Sequence, residues 1–114
     1  MPLALVSRSK RVENDLLGKV MRALPDIIAE NLGVPDHPLA KLAPKDIEVS
    51  HLESPFNIGH HDIQIVILAQ KFEERIRDGV FRSECMVADV QKILDSDMTC
   101  FVWVFLGNTF FAAT

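Results

Sequence analysis

Several features are scarce or missing in this sequence, and each absence excludes a class of protein. The chain has no tyrosine, one tryptophan and two cysteines, Cys85 and Cys100. Two cysteines without a secretion signal indicate buried thiols in a reducing compartment, so we expect a cytoplasmic protein. The net charge is −4 and there is no basic tract, which argues against nucleic acid as a partner. The longest apolar run, near residues 100–106, is too short to span a bilayer, so no membrane partner is expected.

Motifs for cofactors and metals are also absent. The sequence contains no phosphate-binding loop, no dinucleotide fingerprint and no zinc-type ligand spacing. His60, His61 and Asp62 are consecutive, but neighbouring residues of a strand point to opposite faces and rarely bind one ion together. We therefore expect neither a metal nor a cofactor.

The composition that remains is that of a soluble globular protein. The chain has 114 residues, of which 48% are hydrophobic and 25% are charged. This length predicts a single domain, residues 1–114, with a modest core that oligomerisation would extend.

The first half of the chain predicts a strand, a helix and a second strand. Residues 3–7 are apolar and are followed by charge, as in a buried strand. A helix is predicted from Val12 to Leu32, with a kink or division at Pro25 and an end at Gly33. Three prolines between Val34 and Lys45 predict a loop. Residues 46–53 alternate at first like a strand, and Ser54–Gly59 predicts a turn.

The second half of the chain predicts the same order of elements. Residues 63–69 form a β-branched run typical of a central strand that is covered on both faces. One helix is predicted from Phe72 to Leu94, with an apolar stripe, and a strand from Thr99 to Leu106. Gly107-Asn108 predicts a turn before a short final strand at residues 109–112. The stripe consists of Phe72, Ile76, Val80, Val87, Val90 and Leu94.

The order of elements predicts an α/β (α+β) fold made of two βαβ units. The units, about residues 1–53 and 62–114, form a pseudo-repeat that shares one four-stranded mixed sheet with both helices on one face. Strands 63–69 and 100–105 are apolar on both faces, so the face without helices needs a cover. Another copy of the chain is the simplest cover, and we expect an oligomer.

This organisation, beginning Met1-Pro2, resembles the tautomerase superfamily, which includes 4-oxalocrotonate tautomerase, macrophage migration inhibitory factor and the malonate semialdehyde decarboxylases. The local matches are Pro2-Leu3, Asp46-Ile47-Glu48-Val49, and the run from Cys100 to Val104 followed by Gly107–Ala112. The resemblance implies a homotrimer with sheets packed around a central axis.

The resemblance also implies a catalytic role for Pro2. Once Met1 is removed, Pro2 carries a secondary amine, and an α-amino group has a pKa of about 8 that burial lowers. Such a base moves a proton on the carbon beside a carbonyl. The implied activity is keto-enol proton transfer on a small 2-oxo or unsaturated carboxylic acid. A retained Met1 makes Pro2 an amide and abolishes this chemistry.

Cationic side chains near the proline hold the substrate carboxylate in this superfamily. The sequence offers Arg8 and Arg11 after the first strand, and Lys71, Arg75 and Arg77 after the third. We rank Arg75 first, Lys71 second, and keep Arg8 as a third candidate. Apolar pocket walls are expected from Phe101, Trp103 and Phe56. Because the chain has no tyrosine, either the branches that use one in the pocket are excluded, or Trp103 or Phe101 replaces it.

Two other functions remain open on the sequence. One is a non-catalytic oligomeric scaffold or interaction protein on the same fold, which the loose spacing of the arginines favours. The other is a hydrolytic or decarboxylating enzyme, for which His51 and Glu53 are the candidates to activate water.

Overall fold

The computed structural model describes residues 2–38, 40–53, 61–108 and 112–113, in which one mixed sheet packs against helices. The strands are β1 (Leu3–Arg8), β2 (Glu48–His51), β3 (Ile63–Gln70) and β4 (Cys100–Gly107). The α-helices are α1 (Asn14–Leu32), α2 (Glu73–Arg77) and α3 (Gly79–Gln91), and a 3₁₀ turn covers Pro44–Asp46.

The sheet has the order β2-β1-β3-β4. β1 pairs in parallel with β2, and β3 pairs in parallel with β4, as two βαβ units require. The two units meet where β1 and β3 pair antiparallel, with Leu3 beside Leu68 and Arg8 beside Ile63. The predicted four-stranded mixed sheet is therefore confirmed, and β2 and β4 are its two edges.

The core lies between the helices and one face of the sheet. Ala4 and Val6 of β1, and every second residue of β3 from Ile63 to Ala69, are buried with the apolar face of α1. This alternation is expected because successive strand residues point to opposite faces. On the outer face Leu68 is exposed and Val66 is half-buried, so the second cover that we predicted for β3 is not supplied by the described part of the same chain.

Helix α1 forms where the sequence predicts it, but Pro25 does not divide it. The buried positions Leu17, Val20, Leu24 and Ile28 repeat at helical spacing on both sides of the proline. Packing of this continuous stripe against the sheet outweighs the one backbone donor that proline lacks. Gly33 ends the helix as predicted, and its N–H donates to the carbonyl of Ala29 at 3.1 Å.

The second helical region differs from the prediction of one helix over residues 72–94. It is divided at Asp78, whose φ of −120° and ψ of 29° leave the helical region, and Gly79 begins α3. The break changes which face is buried. Ile76 and Val80, which we placed in the apolar stripe, are 51% and 74% exposed, whereas Arg75 and Met86 are buried.

The remaining expectations concern turns and ends. The described residues of the predicted loop, 34–38 and 40–43, lie outside helices and strands, the 3₁₀ turn follows them, and the strand predicted over residues 46–53 is the shorter β2. The turn at Ser54–Gly59, Phe56 within it, and the core of the final strand at residues 109–111 lie outside the described residues. Within the part of the chain that is described, none of the helices is long and apolar enough to cross a membrane.

Candidate functional site

Pro2 lies immediately before β1, at the end of the sheet opposite to Arg8. Its side chain is less than 2% exposed, and its carbonyl accepts a hydrogen bond from the N–H of Glu48 at 3.1 Å. Since Ala4 and Val6 face the helices, the alternation of the strand directs Pro2 to the same side. Continuing the register of β1 and β3 by one residue places Pro2 beside Ala69.

Lys71 follows β3 at this same end of the sheet. It is two residues beyond Ala69, so it occupies the diagonal position to Pro2, for which the usual separation is about 7–8 Å. Its backbone N–H donates to the carbonyl of Gly107 at 2.9 Å, which fixes the end of β3 against the end of β4. The Lys71 side chain is exposed, so its charge is available to a solute.

Arg75 lies at this end as well, but its guanidinium is buried rather than presented to solvent. The residue is 2% exposed. Its Nε donates to the carbonyl of Leu32 at 2.8 Å and its Nη1 to the carbonyl of Gln70 at 2.8 Å. The guanidinium carbon lies 4.9 Å from the centre of the Phe72 ring, a cation–π distance. Arg75 therefore joins the C-terminal end of α1 to the end of β3.

A second arginine, Arg82 on α3, binds backbone carbonyls at the end of α1 as Arg75 does. It was not among the candidates predicted from the sequence. Its Nη1 donates to the carbonyls of Asn31 at 2.8 Å and Gly33 at 3.2 Å. Its Nε donates to Asp78 at 2.6 Å, an i,i+4 pair that is visible in the sequence. Two cations thus satisfy the last carbonyls of α1, where the helix dipole favours positive charge. Desolvation, and then the charge of Arg82, lower the pKa of Arg75.

Arg8, the third cationic candidate, lies far from Pro2 within one chain. Six residue steps of extended strand lead from Pro2 to Arg8, about 20 Å at the usual rise. Arg8 donates to Glu53 at 3.1 Å, to the carbonyl of Val12 at 3.1 Å and to Asn14 at 2.7 Å. The structure therefore does not bring Arg8 together with Pro2, Lys71 and Arg75 in one chain.

Phe101 and Trp103 lie on β4, on the face of the sheet that carries no helix. They are 37% and 48% exposed, and Phe105 continues the row at 54%. The Phe101 and Trp103 ring centres are 4.8 Å apart, and Trp103 stacks on Phe105 at 6.2 Å with an interplanar angle of 6°. Because Pro2 faces the other side, these rings do not form walls around Pro2 within one chain. They form an exposed aromatic row on the outer face.

The candidates for water activation lie at the Arg8 end of the sheet. Glu53 is paired with Arg8, and the Nε2 atom of His51 is buried and has no hydrogen-bond partner among the described residues. Among the described residues, no group of three His, Cys, Asp or Glu side chains is arranged to hold a metal ion.

A buried carboxylate joins three strands at that same end. Asp62 accepts hydrogen bonds from the hydroxyl of Ser9 at 2.7 Å and the N–H of Thr99 at 3.1 Å. The exposed Arg11 approaches it at 3.7 Å. The hydrogen bond from Ser9 is the main cause that lowers the pKa of Asp62, against an opposing desolvation. The end of β1 is thereby tied to the starts of β3 and β4, which is a structural role.

Comparison with solved structures identifies the fold. A structure of native fused 4-OT matches with a TM-score of 0.66 and 13% identity, covering 97% of this chain and 91% of that one. A macrophage migration inhibitory factor-like protein from Entamoeba histolytica matches with a TM-score of 0.61 and 11% identity, over 95% of this chain and 88% of that one.

A third match is to a fused 4-OT described as a symmetric trimer, with a TM-score of 0.58 and 11% identity, over 90% of this chain and 83% of that one. The sequence matches no family model and no curated protein. At these identities the likeness concerns the fold alone. With its two parallel strand pairs joined antiparallel and its helices on one face, the chain has the fold of the tautomerase superfamily.

Proposed function

We propose that the protein is a tautomerase-like enzyme that uses Pro2, after removal of Met1, as a general base. The substrate class is a small 2-oxo or unsaturated carboxylic acid. The Pro2 nitrogen takes a proton from the carbon beside the carbonyl and returns it to the other end of the enolate, so that no cofactor is consumed. The observation that carries the proposal is the position of Pro2, buried on the helix side and diagonal to the exposed Lys71.

Proton transfer by Pro2 on a carboxylate substrate requires a neutral amine as the base and a fixed positive charge to bind the carboxylate. Apolar surroundings and a neighbouring cation both lower the pKa of an amine, which leaves a secondary amine neutral near pH 7. We assign Lys71 as the first contact for the substrate carboxylate because its side chain is exposed beside Pro2. Arg75, ranked first from the sequence, is the second candidate, because two of its N–H groups already bind backbone carbonyls.

We further propose that the active form is a homotrimer. The aromatic row Phe101, Trp103 and Phe105 supports this, because an exposed apolar face of this kind is typical of an interface between copies. In such an assembly the outer-face rings and Arg8 of one subunit are able to approach the Pro2 of another.

Intact mass spectrometry tests the catalytic proposal, before and after reaction with bromopyruvate. We expect a mass without Met1 and one adduct, mapped to Pro2. Turnover of phenylpyruvate-type enols should fall at least about 100-fold in Pro2→Ala, the usual contribution of a general base. Lys71→Ala should raise KM more than it lowers kcat, while Lys92→Ala, an exposed lysine at the far end of α3, should leave both unchanged.

The rival function is a non-catalytic oligomeric scaffold on the same fold. It is favoured by the complete burial of the Pro2 side chain together with the exposed aromatic row. A retained Met1, or a free Pro2 that takes no adduct while the protein stays oligomeric, would establish the scaffold and reject the enzyme.

A further inference from the structure

The two free edges of the sheet are protected from pairing to different degrees. β2 has four residues and begins with the exposed Glu48, and a short strand with charge is a common device that keeps an edge from pairing with another chain. β4 has eight residues, and none of them is charged or proline. A long apolar edge strand without such protection is suited to pair with a strand of another molecule.

The main chain of β4 presents hydrogen-bonding groups to this free edge at every second residue. The carbonyl of Gly107 accepts a hydrogen bond from the N–H of Lys71 at 2.9 Å, so the main chain of Gly107 is directed towards β3. Because successive strand residues direct their main-chain groups to opposite sides, Trp103 also faces β3, whereas Val102 and Val104 face the edge. The sheet order ends at β4, so the described part of the chain supplies no partner strand for them.

Apolar surface lies on both sides of this edge. The aromatic row of β4 lies on the outer face. On the helix side, a groove of about 630 Å³ is lined by Val102 and Val104 of β4 and by the exposed Ile76 and Val80 of the helices. Of the described residues that line the groove, only Glu84 carries an exposed charge. A strand that pairs with this edge must therefore be apolar on both of its faces.

β4 itself is a strand of this kind, whereas β2 is not, because its outward-facing residues Glu48 and Ser50 are polar. We propose that β4 pairs antiparallel with β4 of a second copy of the chain, about a two-fold axis that is perpendicular to the sheet and passes beside Trp103. This symmetry keeps the outer faces of both copies on one side, so that residues of the same face lie opposite each other.

The register centred on Trp103 satisfies main chain and side chains together. Val102 lies opposite the partner's Val104, and both direct their N–H and C=O groups to the edge, so they form a hydrogen-bonded pair. Trp103 lies opposite its own copy in a non-hydrogen-bonded pair, in which side chains are closest, and aromatic cross-strand pairs stabilise a sheet. A register centred on Val104 is one hydrogen-bonded pair shorter, because Cys100 then lies opposite Asn108, beyond the end of β4.

This pairing depends neither on the chemistry of Pro2 nor on the proposed trimer. A dimer of single chains and a dimer of trimers both contain it. The exposed Ile76 and Val80 at the rim of the groove lie beside the joined edge, so the pairing also gives these two side chains an apolar neighbour.

Disulfide cross-linking of Trp103→Cys in a Cys85→Ser background tests the two-fold axis. The Cα atoms of a non-hydrogen-bonded pair are about 4.5 Å apart, which a disulfide bridges. Phe101→Cys, from the same exposed row, is the matched control, because four residue steps, about 13 Å, separate Phe101 from its own copy along the strand. Mild oxidation should give at least about five times more covalent dimer for Trp103→Cys. Phe101→Cys and Phe105→Cys should cross-link when they are refolded together, although neither does so alone.

Val104→Pro tests the hydrogen bonds of the edge. The N–H of Val104 faces the edge, so proline removes a donor to the second copy without removing a bond to β3. Val104→Thr keeps the N–H and the shape of the side chain. In light scattering, Val104→Pro should show a mass about twofold lower than the wild type, because a two-fold interface is lost, and Val104→Thr should show the wild-type mass.

Three results would overturn the proposal, and none of them depends on enzymatic activity. Equal cross-linking of Trp103→Cys and Phe101→Cys would show that β4 does not pair about this axis. The wild-type mass in a folded Val104→Pro would show that the edge is not an interface. Cross-linking of Trp103→Cys to Ser50→Cys on β2, in place of its own copy, would show that the two edges pair head to tail.

Discussion

Replacing Arg75 by methionine should destabilise the fold strongly, although arginine is not an ordinary core residue. The guanidinium is buried and donates to the carbonyls of Leu32 and Gln70, at 2.8 Å each. Methionine fills a similar length but donates nothing, so both carbonyls lose their partner at a site from which water is largely excluded. An unsatisfied buried acceptor costs about 1–3 kcal/mol, which gives about 2–6 kcal/mol for the pair.

Two effects reduce this loss in the free energy of unfolding. The wild-type protein bears the desolvation of a guanidinium and its repulsion from Arg82, which are the causes that lower the pKa of Arg75. Methionine relieves both and adds apolar burial. We expect a net loss of about 2–4 kcal/mol in the free energy of unfolding, or a fall in Tm of about 10 °C or more for a chain of this size.

Urea unfolding gives the free energy when it is followed by the fluorescence of Trp103, the only tryptophan. Protein concentration must be held fixed, because oligomerisation contributes to the apparent stability. Arg77→Met is the matched control. Arg77 belongs to the same short helix, is exposed, and pairs at 3.7 Å with an exposed glutamate, so its loss should cost less than about 0.5 kcal/mol. A loss below 1 kcal/mol in Arg75→Met would refute the reasoning, because the carbonyls would then be satisfied by other donors.

Three further predictions concern other parts of the chain. The pKa of Asp62 lies below its ordinary 3.8, so its contribution to stability is present above that pH and is lost as the pH falls through the lowered value. Unfolding free energy measured from pH 7 to pH 2 should therefore fall more steeply below about pH 4 in the wild type than in Asp62→Asn, and equal slopes would contradict this. Burial raises the pKa of Cys100 to about 11, so at pH 8 a thiol reagent should modify only the half-buried Cys85, and two equally fast thiols would refute the burial. Trp103→Lys should reduce the oligomer mass in light scattering, whereas Phe81→Lys, at an exposed aromatic on α3, should not, and equal masses of both variants would show that the aromatic row is not the interface.

The sheet and α1 were predictable from the sequence because their apolar residues repeat at the periods of strand and helix. Every second residue from Ile63 to Ala69 faces the same core as the buried positions of α1, which are Leu17, Val20, Leu24 and Ile28. The division of the second helical region was not predicted. Its sequence carries helical spacing through Ile76 and Val80, and only packing shows that Arg75 is buried in their place.

The site was predictable only in part, for a similar reason. A sequence indicates which cations follow a strand, but not which of them are already bound. Arg75 and Lys71 are both close to the end of β3, yet one donates to two carbonyls inside the protein and the other is exposed. Leu32 is distant from Arg75 in the sequence, and a backbone carbonyl such as that of Gln70 is not marked by any side-chain pattern. The sequence therefore does not identify either carbonyl as an acceptor for Arg75. The aromatic residues of β4 were predicted to be pocket walls, but the face to which they point depends on the register of the whole sheet.

The two ends of the sheet differ in how their charged side chains are bound. At the Arg8 end Arg8 pairs with Glu53, and Asp62 accepts hydrogen bonds from Ser9 and Thr99 and lies near Arg11. At the Pro2 end Lys71 is exposed, and Arg75 donates to two backbone carbonyls. The exposed Lys71, at the diagonal position to the buried Pro2, is the observation on which our proposal of a carboxylate substrate rests.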